Sequence, residues 1–302
     1  MKMSIQSLRS AVDRGWKNMQ STCALRNCRN TLLMRSVPQS RVGIQVGQLW
    51  YCSVDCFADA AVGRFTTACD ERVVEVPHHP RLPIGLVMLS KGYLTDDQLR
   101  LATAGSRLQG VELEVALLSM GLADEWQLAA ARAAQWGCPV LAKDRIGQPV
   151  EADIPATLLR ACSAVPLHYS VAAKRLLLGF VYRVEHSLLH AIEQVTGCKA
   201  EACFLTPTEF ELQTVRLTAV PDCREALFED PMTPAQMANT LGNLAVDVAA
   251  RDAIFVNCRN HIWTRLSGKQ RRVDVIFRSR QRLEAGKQKN MLIQEAHMAS
   301  LV

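Results

Sequence analysis

Residues Pro83 to Ser106, PIGLVMLSKGYLTDDQLRLATAGS, return 29 positions later as Glu112 to Gln135, ELEVALLSMGLADEWQLAAARAAQ. Aligned without a gap, Gly92 meets Gly121, Leu94 meets Ala123, Leu99 meets Leu128 and Ala102 meets Ala131, while Met88-Leu89-Ser90 lies over Leu117-Leu118-Ser119. A glycine and an apolar stripe kept in register at a fixed offset mark an internal repeat, and such a unit buries its apolar face by stacking on its neighbour. Each copy reads as a helix of about two turns, a glycine that ends it, a short connection and a second helix, capped by Thr95 in the first copy and by Asp124 in the second. The repeat therefore predicts two stacked helical hairpins.

Paired motifs of the form RLGxxLLxxGLLxxxxLxxALxxQ with a five-residue spacer mark the N-terminal domain of the bacterial type II secretion and type IV pilus assembly ATPases, and this repeat resembles them. The spacer here, Arg107 to Val111, is five residues. The following segment is similar to that family's small α/β half in order and spacing, through Gly137-Cys138-Pro139-Val140, Val165-Pro166-Leu167, Leu176 to Val181, Thr196-Gly197 and Phe204-Leu205-Thr206. The resemblance runs from Pro80 to Gln213, under half of the chain. It implies a docking module by which the related ATPases attach to the rest of their machine, with a protein of the secretion or pilus machinery as partner.

In the subgroup of that family that binds cyclic di-GMP, the first-position arginine and third-position glycine of each motif help to hold the dinucleotide. Here Pro83 and Glu112 stand where arginine is expected, Glu114 replaces the second early glycine, and Ser106 replaces the first terminal glutamine. A glutamate facing a phosphate repels it, and loss of an arginine fork removes a strong charge-assisted contact. A retained nucleotide site would act through Gly85 and Gln135, with Arg81 swinging in for the missing arginine and Gly92 and Gly121 closing the turns.

The motor of those ATPases has no counterpart, since no G-x-x-x-x-G-K-[ST] occurs in the sequence. Ser267-Gly268-Lys269-Gln270 comes nearest, with Trp263 in place of the first glycine and Gln270 in place of the magnesium-binding hydroxyl. Neither a GxSxG elbow, an HExxH helix nor a GxGxxG turn is present. The expectation is that the chain is not an enzyme.

Eleven cysteines distribute unevenly. Cys69, Cys138, Cys162, Cys198, Cys203, Cys223 and Cys258 sit singly among apolar neighbours, where a thiol packs as a small hydrophobe. Cys23, Cys28, Cys52 and Cys56 instead form two close pairs, with four and three residues between the members of each pair. That is metal-ligand spacing, and four thiolates around tetrahedral zinc close the shell, so the ion is expected to be structural. The alternative is four reduced cysteines in the core or on the surface. Leu49-Trp50-Tyr51-Cys52-Ser53-Val54-Asp55-Cys56-Phe57 also resembles the W/F-Y-C-S-x-x-C segment of small treble-clef-like zinc modules, which implies one thiolate from a strand and the next from the first turn of a helix. His78 and His79 precede Pro80 in an extended linker and are read as linker residues.

Past the α/β half, Pro221-Asp222-Cys223 and Asp230-Pro231 punctuate a second linker. Thr233-Pro234 then opens an amphipathic helix with Met237, Leu241, Leu244 and Val248 on one face. Ile254-Phe255-Val256, His261 to Leu266 and Val273 to Phe277 read as three short strands, with turns at Arg259-Asn260 and Ser267-Gly268-Lys269. Residues 251–302 carry 11 Lys or Arg against 4 Asp or Glu, a net of +7, whereas the remaining 250 carry 24 against 25. Arg271, Arg272, Arg278, Arg280, Arg282, Lys287 and Lys289 make this end basic, the basis of a further alternative in which zinc module and tail bind nucleic acid.

The expected architecture is α+β and multidomain: a zinc module over 1–76, the helical repeat over 77–140, an α/β subdomain over 141–215, and a C-terminal α+β domain with a helix, a β-meander and a basic tail over 230–302. No apolar run approaches the roughly 20 residues that cross a bilayer, and the N-terminus lacks an apolar core of signal-peptide type. A cytoplasmic location is expected. The functional reading is a non-catalytic adaptor or regulator, with a cyclic di-GMP sensor and a nucleic-acid-binding regulator as alternatives.

Overall fold

A computed structural model describes residues 23–28, 43–70, 81–141, 153–217, 223–258 and 260–279. The chain divides into two compact units, one assembled from Met1–Arg72 and Pro221–Val302 and the other from Val73–Val220. His78, His79 and the tail residues Arg280, Arg282, Lys287 and Lys289 lie outside the described residues.

The first unit begins with a hairpin, β1 (Ile44–Val46) and β2 (Leu49–Tyr51), followed by helix α1 (Val54–Asp70). Gly47 opens the two-residue turn at φ +59°, a conformation that a glycine adopts without strain and that matches the twist of a tight hairpin.

The second unit starts with four helices, α2 (Ile84–Ser90), α3 (Asp96–Gln109), α4 (Leu113–Ser119) and α5 (Glu125–Trp136). The short helices α2 and α4 stop at Gly92 and Gly121, with φ +70° and +64°. Past each glycine the chain donates back into the helix, Tyr93 N–H to Met88 O at 2.9 Å and Leu122 N–H to Leu117 O at 3.0 Å. Thr95 and Asp124 then start α3 and α5 with reciprocal capping boxes to Gln98 and Gln127. Val87, Met88, Leu94, Ala102, Leu117, Leu128 and Ala131 form the shared core of these helices.

The same unit continues through α6 (Ala156–Ala161), β3 (Ala164–Ser170), β4 (Arg175–Phe180), α7 (His186–Thr196), β5 (Lys199–Phe204) and α8 (Pro207–Val215). β3 runs antiparallel to β4, and β5 runs parallel to β4 after the α7 crossover. Val140 bridges to Phe204, so the segment after α5 extends the edge of this sheet at β5.

The chain then returns to the first unit with β6 (Cys223–Phe228), α9 (Pro234–Asp247), β7 (Asp252–Cys258), β8 (His261–Ser267) and β9 (Arg272–Arg278). Six strands make one sheet in the order β2-β1-β7-β8-β9-β6. Here the structure departs from the sequence reading, which keeps residues 1–76 apart from 230–302. The β1–β2 hairpin continues the C-terminal meander, β1 pairing in parallel with β7 at Gln45 and Asp252. β6 falls within 216–229, outside every expected domain. Its sequence, Cys-Arg-Glu-Ala-Leu-Phe, has no β-branched residue and so carries little strand signal of its own.

Helices α1 and α9 cover one face of the six-stranded sheet, and their closeness depends on Gly242, where a Cβ would stand 3.3 Å from the Cβ of Ala58. Phe65 stands edge-on to Phe277 at 5.3 Å and to Phe255 at 5.7 Å, locking α1 to β7 and β9. The opposite face holds a buried polar set, in which Asp274 accepts from Trp263 Nε1 at 2.8 Å and from Arg265 Nε at 2.7 Å. Among the described residues, no helix is long and apolar enough to cross a membrane.

Candidate metal centre and the hairpin edge

Three elements bring four thiols together. Residues 23–28 form a turn, closed by Cys28 N–H to Leu25 O at 3.2 Å and hung on β2 by Ala24 N–H to Trp50 O at 2.8 Å. Cys52 follows directly on β2, and Cys56 lies in the first turn of α1. Ser53 fixes that turn, its hydroxyl accepting the Cys56 N–H at 3.2 Å in the manner of a helix N-cap. Gly43, at φ +104°, makes room for the hairpin, because a Cβ there would run into the Tyr51 carbonyl and the Trp50 ring.

The sulfur geometry fits a metal shell. Cys28 and Cys52 Sγ are 3.6 Å apart, Cys52 and Cys56 3.7 Å, and Cys56 and Cys28 3.7 Å. The four Sγ atoms, Cys23 included, lie within 4.8 Å of one another. Zinc–sulfur bonds of about 2.3 Å in a tetrahedron give sulfur–sulfur edges of about 3.8 Å, whereas a disulfide brings its sulfurs to about 2.05 Å. Three edges of such a tetrahedron are already near the length that coordination requires.

Cys23, Cys52 and Cys56 are buried and Cys28 is half-buried. Burial pushes the Cys56 thiol up to about 12, with Cys28 and Cys52 adding to the rise and the Ser53 hydrogen bond opposing it. Thiols so enclosed ionise when a cation supplies the opposing charge, and a divalent metal does this by direct coordination. Four protein sulfurs would fill a tetrahedral shell and leave no place for a substrate or activated water.

In the second unit Cys198 and Cys203 are buried and Cys138 is half-buried. Cys203 is fully buried with its thiol pushed up to about 12, chiefly by burial, and Cys138 is raised to about 11 by burial despite Arg81 nearby. The metal-type cluster found among the described residues is the four-cysteine one.

The residues singled out for a nucleotide fall into two groups. Arg81 lies over the ring of Trp136 with its guanidinium carbon 3.1 Å from the centroid, and Gln135 donates to the carbonyl of Leu82 at 2.6 Å. Arg81 and Gln135 therefore meet at the entry to α2. Gly85 is packed inside the helices, where a Cβ would be 2.8 Å from Leu99 Cδ1 and 3.3 Å from Leu113 Cδ2. Gly92 and Gly121 serve as helix stops.

Glu114, expected from the sequence to face a ligand with its charge, is engaged inside the fold by Arg132. Arg132 is absent from the sequence-derived set of site residues. Its signal is an arginine set among alanines in Ala129 to Ala134, a charge on a face otherwise fit for burial, and such a charge requires a partner.

No family model matches the chain. It is 28% identical over 129 residues to the type IV pilus assembly ATPase PilB of Thermus thermophilus, a match covering 42% of this chain and 14% of that protein. The chain thus spans a small part of the length of its curated relative. Among solved structures, that of MshE with cdg aligns at 20% identity and a TM-score of 0.38, covering 46% of this chain and all of that one. That of the N-terminal domain of XpsE aligns at 21% identity and a TM-score of 0.34, covering 45% of this chain and 94% of that one. The chain is similar to these proteins over less than half its length.

Proposed function

We propose that this chain is a non-catalytic docking protein that binds a component of a secretion or pilus machine through its helical hairpins, and that Cys23, Cys28, Cys52 and Cys56 hold a structural zinc ion. The observation that carries the docking role is the pair Leu86 and Val115. They occupy equivalent positions in the two copies, 29 residues apart, and are 49% and 51% exposed. Leu82, at the entry to α2, and Leu118, within α4, are exposed as well. Apolar side chains repeated at a solvent-facing position contribute little to the hairpin core and suit a protein partner. The similarity to part of PilB supports the choice of machine, and a closed four-sulfur shell supports a structural metal.

The test is purification of the tagged full chain and of its Leu86→Lys/Val115→Lys variant from cells that assemble type IV pili. A named pilus-assembly or secretion component should accompany the wild type and be lost from a folded double variant. Retention of that component by the variant removes this face from the proposal.

A second reading, cyclic di-GMP binding, is favoured by one observation, the convergence of Arg81 and Gln135 at the start of α2. Calorimetric titration decides it. Micromolar binding that Arg81→Ala abolishes would make the protein a second-messenger receptor, and absence of heat or thermal shift at high ligand concentration would leave the hairpins as a protein-docking scaffold.

A further inference from the structure

The four cysteines are not the property of the N-terminal segment alone. Cys23, Cys52 and Cys56 belong to one continuous buried core with Met237, Ala253, Val273 and Phe277. Gln45 on β1 donates its backbone N–H to Arg251 O at 2.8 Å, tying the hairpin to the start of β7. Helix α1, which carries Cys56 in its first turn, lays Phe57 6.0 Å from Phe255 and Phe65 against both Phe255 and Phe277. These elements are therefore an edge of the six-stranded sheet and part of the layer that covers it.

The hairpin and the 23–28 turn are also poorly held by their own secondary structure. β1 and β2 are three residues each, and a lone hairpin of that size is marginal in water. Among the described residues, the backbone bond that hangs the 23–28 turn on the hairpin is Ala24 N–H to Trp50 O. The sulfurs join the turn, the end of β2 and the first turn of α1 at one point, and a metal bound there adds its binding free energy to the folding of whatever the three elements support.

We infer that metal loading of the four-cysteine centre is a folding switch for the composite sheet as a whole, β7 to β9 and α9 included. Loss of the ion releases α1 and the hairpin and uncovers the apolar face bearing Phe255 and Phe277, while the second unit, with its separate cores, stays folded. This rests on the metal reading proposed above and extends it to residues that follow the cysteines by the length of the second unit.

Elemental analysis of the purified full chain, followed by hydrogen exchange with and without a strong zinc chelator, tests the inference. Stoichiometric zinc is expected. Chelation should accelerate exchange about tenfold or more in 44–70 and also in 252–278, leave 84–136 and 164–215 unchanged, and be reversed by added zinc. A Cys52→Ser variant should reproduce the chelated pattern, and Cys138→Ser should reproduce the wild type. Stoichiometric zinc with acceleration confined to 23–56 would reject the switch and leave the metal centre standing. A chain that retains no zinc would overturn the metal reading, and the switch with it.

Discussion

Arg132 on α5 forks onto Glu114 on α4, its Nε donating to Oε1 at 3.2 Å and its Nη2 to Oε2, while Nη1 reaches the Val181 carbonyl at 2.9 Å. One buried guanidinium thereby joins the second helical hairpin internally and fastens it to the end of β4. Arg132 is 5% exposed, so removal of the Glu114 carboxylate leaves a desolvated cation with a backbone acceptor and only the Glu112 carboxylate as a remaining counter-charge. Glu114→Ala should cost about 3 kcal/mol, the low end for breaking a buried pair because the Glu114 side chain keeps partial contact with water. Replacing both partners, Glu114→Leu with Arg132→Met, should recover most of the loss. Urea unfolding of the three proteins checks this, and a double variant no more stable than Glu114→Ala would show that packing around the arginine matters more than its charge.

The two capping boxes of the helical repeat invite a matched comparison. Gln98 N–H meets Thr95 Oγ1 at 3.3 Å, and Gln127 N–H meets Asp124 Oδ1 at 2.7 Å. Thr95→Ala and Asp124→Ala should each destabilise by about 1 kcal/mol, and Asp124→Ala the more, since its carboxylate also favours the positive end of the α5 dipole. Thermal unfolding at low and high salt separates the contributions: the dipole part of the Asp124 effect should shrink with salt and the Thr95 effect should not.

Legibility in the sequence follows the range of the forces involved. Glycine stops, hydroxyl caps and i, i+3, i+4 stripes act within one or two turns, and residues such as Gly92, Thr95, Gly121 and Asp124 declare the helices from local chemistry alone. Cys52 and Cys56 are legible for the same reason, lying four residues apart across a strand end and a helix start. What local chemistry does not encode is the partner of an edge. Nothing in Ile44-Gln45-Val46 specifies pairing with Asp252, about 200 residues away, and loop-closure entropy grows too slowly with length to forbid it. The single sheet built from both ends of the chain is therefore hidden, as is β6, whose pairing with β9 supplies what its composition lacks. Arg132 escapes notice because a buried charge is recognised only with its partner in view.

Two glycines in the first unit should respond with opposite signs. Gly63 lies exposed within α1, and a Cβ there meets nothing within 4 Å, so Gly63→Ala should stabilise by about 0.5–1 kcal/mol through the reduced entropy of the unfolded chain. Gly268 turns β8 into β9, and a Cβ there would run into the Val248 carbonyl oxygen and sit 3.2 Å from that of Ala249. These are backbone atoms at the end of α9 and cannot rotate aside. Gly268→Ala should cost about 3 kcal/mol, toward the upper end for overpacking. Thermal unfolding of both variants, read by a probe in the six-stranded sheet, checks the pair; a neutral Gly268→Ala would mean that the hairpin turn yields independently of α9.

Asp252 gives the first unit a defined pH response. It opens β7 beside Gln45 of β1 and opposite Ser267 of β8, and burial raises its carboxyl pKa. The folded value then lies above the unfolded one, so the fold binds the proton more tightly than the open chain does. Above the folded pKa, the structure must hold an ionised, partly desolvated carboxylate and is less stable for it; as pH falls through that value, protonation removes the penalty. Asp252→Asn supplies a neutral isostere at every pH. It should therefore raise the melting temperature relative to wild type at about pH 7, and its advantage should fade as pH falls through the raised folded pKa and be gone below the unfolded value of about 3.9. A variant less stable than wild type at neutral pH would show that the ionised Asp252 is held by favourable hydrogen bonds at the β1–β7 junction that outweigh its desolvation.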